Sequence, residues 1–199
     1  MTFSSIEALR AGLGGDEAAV SPAYRAKQLH PVPAATQVNR RKFILDHCKD
    51  KRVLSFGASG RLHEEMLKVA SVVYGIDRED SDGVVGFDLD NVAVAELPVV
   101  PAEIVVCGEI LEHLGNPLHF LKRLRKQYAG VPTIITVPNA FAPQPSLAKG
   151  IENVNKDHVA WYSPKTISVL LERAGYSVGD LFYYNGNGPT AEGLVVVTE

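Results

Sequence analysis

The chain has 199 residues, 46% hydrophobic and 22% charged, enough for one folded domain with a full core. Its formal net charge of -3 provides no global field for holding a polyanion, so nucleic acid is not an expected partner. The two cysteines, Cys48 and Cys107, lie in different segments without metal-type spacing, and the first residues lack a basic start followed by a long apolar run. A reduced, cytoplasmic protein with no signal peptide and no membrane span is expected.

Residues 4–13 and 37–48 carry apolar residues at helical spacing and are separated by the proline-bearing stretch 30–36. The expected organisation is a single domain over 1–199, with residues 1–50 as a helical preface or lid and 51–199 as the ligand-binding core. From Val53 the pattern alternates. VLSF reads as a strand, RLHEEMLKVA as a helix, and VVYGID, VVGFDL and EIVVC as three further strands. PLHFLKRLRKQ then reads as a helix, TIITV as a strand, PKTISVLLERA as a helix, and YSVGDLFYY and GLVVVT as the last strands. Short apolar strands alternating with amphipathic helices predict an α/β, Rossmann-like, mostly parallel sheet covered on both faces. The last two strands are joined only by NGNGPTAE, too short for a crossover helix, so they should form an antiparallel hairpin at one edge. Around residue 164 the local chemistry is especially clear. Ser163 suits an N-cap, Pro164 the first helical position, and Gly175 a left-handed stop.

In an open parallel sheet, ligands bind at the carboxyl ends of the strands where the winding direction reverses. The turn GASG after the first strand therefore belongs to a candidate site. Gly57 and Gly60 allow close backbone approach, and the following helix N-terminus favours negative charge. Asp77, at the end of the second strand, can accept hydrogen bonds from both hydroxyls of a ribose, and Asp88, at the end of the third, can accept adenine amino hydrogens. A solvated strand end is the alternative for either acid alone. Two glycines at such a turn suit a nicotinamide site as well as one for S-adenosylmethionine (SAM).

VLSFGASGRL, VYGID, FDL, EIVVCGEILEHLGNP, TIITVPNAF and NKDHVAWYSPKTISVLLERAGY together resemble the class I SAM-dependent methyltransferases, especially the branch with the ubiquinone-biosynthesis O-methyltransferases. The likeness runs from about Val53 to Glu199. It implies a seven-stranded sheet ending in the hairpin, SAM as cofactor, and SAM contacts from Gly57, Ser59, Gly60, Asp77, Arg78, Asp88, Leu89 and Cys107. Ser55 stands where the family usually has an acid that organises the glycine loop, and the loop is one residue short. Arg40 or Arg41 could supply a charge to the methionine carboxylate, although a surface role suits either.

Methyl transfer requires an acceptor held in line with the sulfonium methyl and relieved of its proton. Glu109, Glu112 and His113 share one face at spacing i, i+3, i+4 if LEHL opens a helix, and His158 could close over them. Glu109, His113 and His158 are the catalytic candidates. The resemblance also allows Glu109, Glu112, His113 and His158 as ligands of a divalent metal; a structural role for Glu112 and His113 at the helix start is the alternative. His47, His63 and His119 are expected on exposed helical faces. His30 is the one histidine of the proline-rich link and could meet substrate in a lid over residues 24–33. The long segment 139–162 is expected to help build an acceptor pocket. Trp161 and Tyr162 either line it or pack the next helix on the sheet.

The expected function is SAM-dependent methylation of a small-molecule acceptor, most plausibly at oxygen. An NAD(P)-dependent oxidoreductase would leave GEILEHL and the hairpin unexplained and has no Tyr-x-x-x-Lys pair; a non-catalytic SAM-fold partner subunit would account for Ser55. Composition does not specify the oligomeric state.

Overall fold

An interior strand, β1 (Arg52–Phe56), is buried from Val53 onward, and such two-sided burial requires layers on both faces. A computed structural model describes residues 37–91, 97–149, 155–186 and 190–198, all inside the unit Val32–Glu199. The helix expected within 4–13, the lid at 24–33 and His30 lie outside the described residues. The remaining strands are β2 (Val72–Asp77), β3 (Val84–Gly86), β4 (Ile104–Gly108), β5 (Thr133–Pro138), β6 (Val178–Tyr184) and β7 (Gly193–Thr198). They form one seven-stranded sheet in the order β3-β2-β1-β4-β5-β7-β6. The first five are mutually parallel, and β7 runs antiparallel to both β5 and β6. The edge hairpin is the one predicted from the short link.

The strand period divides the core in two. Leu54, Phe56, Val105 and Cys107 face α3 (Pro117–Gln127) and α4 (Pro164–Ala174), packing with Phe120, Leu121, Leu124, Ile167 and Leu171. Val53, Ile104 and Val106 face the opposite way, against Ile44 of α1 (Arg40–Cys48) and Met66 of α2 (Gly60–Val69). The side chain of Asn39 caps α1 by accepting from Lys42 N at 3.0 Å. Just before it, Val38 N donates to Tyr183 O at 2.9 Å, anchoring the start of this layer to β6. Among the described residues no helix is long and apolar enough to cross a membrane.

Three expectations need correction. The third strand is shorter than VVGFDL: only Val84–Gly86 is strand. Phe87 N still reaches Asp77 O at 2.8 Å, but Asp88 Oδ1 then accepts from Asp90 N at 3.0 Å, a local side-chain turn that ends the ladder. GEILEHL does not open a long helix. Glu109 adopts a left-handed φ of 56°, and only Leu111–His113 form a single tight 3-10 turn before Asn116 caps α3 at Pro117. His63 is buried rather than exposed, because α2 lays it beneath Gly75, where an added Cβ would stand 3.0 Å from His63 Cε1. His47 and His119 are half-buried.

At α4 the expected punctuation is realised in full. Ser163 Oγ accepts from Thr166 N at 3.2 Å, Thr166 Oγ1 accepts from Ser163 N at 2.8 Å, and Gly175 sits at φ 92°. Ser163→Ala removes one arm of this reciprocal cap. It should lower unfolding free energy by about 1 kcal/mol in urea denaturation, with an unchanged m-value.

Candidate functional site

The chain passes from β1 outward to β2 and β3, then returns to the other side of β1 as β4. Two neighbouring strand ends thus lead their connections in opposite directions, and a cleft of about 900 Å³ opens between them. Gly57 sits at the hinge of this cleft with φ 73°; a Cβ there would lie 2.6 Å from Ile110 Cγ2 and 2.8 Å from Gly108 O. The N–H groups of Gly57 and Ala58 both donate to Ile76 O, at 3.0 and 3.2 Å, so the turn leans across β2. Ser59 takes the N-cap position of α2 without a side-chain cap bond, and both Ser59 and Gly60 are exposed.

Gly57, Ser59, Gly60, Asp77, Arg78, Asp88 and Leu89 all line this one cleft. Cys107 does not. Its side chain is 0% exposed, packed in the core, and burial pushes its thiol pKa far up; the backbone of Gly108 forms the cleft wall at that strand end. Asp77 is half-buried and accepts from Arg78 N at 2.7 Å. Ser55, 1% exposed, is flanked by Gly75 and Val106 and does not line the cleft.

Several lining residues escaped the sequence reading. Asp90 accepts from Gly115 N at 2.9 Å and Asn116 N at 3.0 Å, tying the loop after β3 to the start of α3. Asn116-Pro117 signals a helix start with N–H groups to satisfy, but nothing local names Asp90 as the distant acceptor. His63 also lines the cleft; burial holds its pKa below the ordinary value, against the opposing pull of Asp77. Of the two arginines considered, Arg41 pairs with Glu65 at 3.4 Å, whereas Arg40 lines the cleft.

The acid and imidazole cluster divides at Glu109. Its carboxylate accepts from Tyr184 Oη at 2.9 Å and approaches Arg40 Nη2 at 3.9 Å, while the Arg40 guanidinium lies 5.4 Å from the Tyr184 ring centroid. Glu109 is thereby separated from the expected four-residue set. The other three gather: one ligand atom each from Glu112, His113 and His158 all lie within 4.8 Å of one another. Helical spacing is not what assembles them. The tight turn presents Glu112 and His113, and the segment 155–162 is pinned over it by Val159 N donating to Glu112 O at 2.8 Å.

Glu112 is 1% exposed and neither carboxylate oxygen has a hydrogen-bond partner. Burial, reinforced by the charge of Glu109, pushes its pKa up to about 8. His113 Nδ1 stands 3.2 Å from Asp157 O. A carbonyl only accepts, so Nδ1 carries the proton and Nε2 the lone pair in the neutral ring. The His158 ring meets the His113 ring edge-on at 4.7 Å, and burial followed by His113 lowers the pKa of His158. Tyr162 is buried and donates to Leu111 O at 3.2 Å, with its pKa raised to about 12 by burial; Trp161 lines a separate cavity after β5.

The sequence matches the family model described as "Methyltransferase domain" over residues 29–180. The chain belongs to this methyltransferase family. It matches no curated protein. Its fold is shared with a SAM-dependent methyltransferase from Mesorhizobium loti, at 15% identity and TM-score 0.57, over 80% of this chain and 95% of that one. The small RNA methyltransferase HEN1 aligns at TM-score 0.63 and 15% identity, covering 87% of this chain but 27% of HEN1. The 1,6-didemethyltoxoflavin-N1-methyltransferase of Burkholderia thailandensis, with S-adenosylhomocysteine bound, aligns at TM-score 0.58 and 15% identity over 80% of this chain and 76% of that one. Identities this low establish a common methyltransferase fold and leave the acceptor to be argued from the site.

The buried carboxyl of Glu112 makes the stability of this methyltransferase depend on pH. A carboxylic acid whose pKa is raised on folding binds more protons in the native than in the unfolded state between the two pKa values, so stability falls as pH rises through that window. The penalty is absent near pH 4.5 and fully developed above about 8. In chelator-treated protein, Glu112→Gln should raise stability at pH 8 by on the order of 3 kcal/mol, and the gain should vanish toward pH 5 in urea denaturation.

Proposed function

We propose that the cleft binds SAM and that the enzyme transfers its methyl group to a small-molecule acceptor, at oxygen, in the cytoplasm. The observation that carries this reading is that Asp77, the Gly57 turn and His113 all line a single cleft. The fit to SAM rests on chemistry. Nine Asp and Glu residues but only two arginines line the cleft, an excess that favours a ligand with net positive charge. The lack of a Cβ at Gly57 and Gly108 leaves room where the two strand ends meet. Asp77 would take the ribose hydroxyls, and Arg40, held beside Gly108 by Glu109, would face the methionine carboxylate. Glu109 brings to this mouth the carboxylate that Ser55 does not provide.

SAM, when bound, supplies an electrophilic methyl group. The chain's part is to orient the acceptor, exclude water and take its proton. The contact of His113 Nδ1 with Asp157 O leaves Nε2 to face an acceptor, and burial followed by His113 lowers the pKa of His158, favouring its neutral ring. Either can receive the acceptor's proton as its oxygen bonds to carbon. The acidic rim argues against an RNA acceptor, whose phosphates would meet like charge. The two cysteines are unpaired and buried, in keeping with a reducing compartment. The same reading places the enzyme near the small-molecule O-methyltransferases rather than the RNA enzymes.

Glu112, His113 and His158 also fit a divalent metal. Two unpartnered carboxylate oxygens are buried beside two imidazoles, one with a lone pair directed away from its only backbone contact. These three residues would hold the ion, which would supply a Lewis acid for polarising an acceptor hydroxyl.

Asp77→Ala should weaken SAM by about 2 to 4 kcal/mol in calorimetry while leaving the thermal transition in place; an unchanged Kd would remove Asp77 from the site. If the metal is used, chelator should abolish turnover, and manganese or zinc should restore it and raise the Tm of the wild type but not of Glu112→Gln. Full activity of protein free of metal by elemental analysis would leave His113 and His158 as bases alone.

A further inference from the structure

The segment after β5 encloses a second cavity of about 390 Å³, which the reading above does not use. Pro143 and the half-exposed Trp161 give it apolar sides, and Gln144, Ser146 and Glu192 give it polar ones. Gln144 Oε1 and Ser146 Oγ are shut off from solvent and have no hydrogen-bond partner. Leaving two such groups unpaired is unfavourable, a cost that a ligand seated against them would remove.

Aromatic rings lead from the cavity to a residue of the cleft. The Trp161 ring stands edge-on to His158 at 6.4 Å, and His158 stands edge-on to His113 at 4.7 Å. His113 lines the donor cleft, so a molecule resting against Trp161 borders the same wall of rings that ends at the catalytic candidates. The electrostatics restrict what can rest there. Among the described lining residues Glu192 is the one ionisable group, and it already accepts from Asn185 Nδ2 at 3.0 Å. With no cation in the lining, a carboxylate or phosphate would be desolvated without a counter-charge. Apolar sides with a few convergent polar atoms instead match a flat ring with polar substituents.

We propose that this cavity is the acceptor-recognition subsite, taking an uncharged planar aromatic or heteroaromatic ring that offers an N–H or O–H donor to Gln144 and a polar atom to Ser146. The word acceptor here rests on the methyltransferase reading above; the ligand class rests on the cavity alone. Trp161 is the chain's single tryptophan, so its fluorescence reports on this cavity directly. The probes are 2-quinolone, a neutral fused ring with a lactam N–H, and quinoline-2-carboxylate, a similar ring with a charge. Saturable quenching by 2-quinolone is expected, with the carboxylate at least roughly tenfold weaker and with a roughly tenfold loss in each of Gln144→Leu and Ser146→Ala. Far-UV circular dichroism on each variant verifies folding. Absence of saturable quenching, quenching unaltered in both folded variants, or tighter binding of the carboxylate would each overturn the proposal. SAM calorimetry on the same samples keeps the two readings apart. SAM binding without quinolone quenching sinks the subsite and spares the methyltransferase reading; Gln144-dependent quenching without SAM binding supports the ligand class and counts against that reading.

Discussion

The arrangement depends on the close approach of two strand ends. β1 and β4 are neighbours that send their chains to opposite sides, and the turn leaving β1 passes so near Gly108 and Ile110 that a single added carbon at residue 57 would collide with both. Glycine at this point satisfies two demands, a left-handed φ of 73° and the absence of a side chain. Once the turn is set, α2 starts with Ser59 and Gly60 exposed and packs back on the sheet through Met66, and the cleft follows from topology. The side chains that line it are consequences of strand length and register, since Asp77 and Gly108 are the last residues of β2 and β4.

Burial then sorts the titratable groups. Glu109 and Glu112 are three residues apart, yet they meet opposite environments. The left-handed backbone at Glu109 turns its carboxylate toward Tyr184 and Arg40, whereas the tight turn carries Glu112 inward with neither oxygen paired. One acid is partnered by a cation and a phenol; burial pushes the other toward its neutral form. Such separation gives two carboxyls three residues apart opposite chemical environments.

How much of this was legible in the sequence varied with the range of the forces involved. Strand and helix periods, the capping of α4 and the terminal hairpin are local or near-local properties, and the count of seven strands came with the family resemblance. Asp88 closed its own turn and cut the third strand short, a local hydrogen bond competing with a ladder of only three residues. The chain had no local signal that Glu109 would go left-handed, and the expected helical face of three acids and imidazoles depended on it. His63 and Asp90 were missed for a related reason: their roles arise where α2 crosses β2 and where one loop caps a distant helix. Cys107 was assigned by position at a strand end, but the two-residue period turns its thiol into the core.

The hairpin that closes the sheet has a second effect at long range. Tyr184 lies across Gly193 so closely that a Cβ built on that glycine would fall 2.0 Å from the ring, and it is this ring whose hydroxyl holds Glu109 and whose face lies near Arg40. A side chain at position 193 must displace the phenol, and the acid and the guanidinium at the mouth of the cleft then lose their common support. In a genetic screen, a substitution on the last strand would therefore have the signature of a lesion at Arg40 or Glu109, although residue 193 is not among the residues lining the cleft or the smaller cavity.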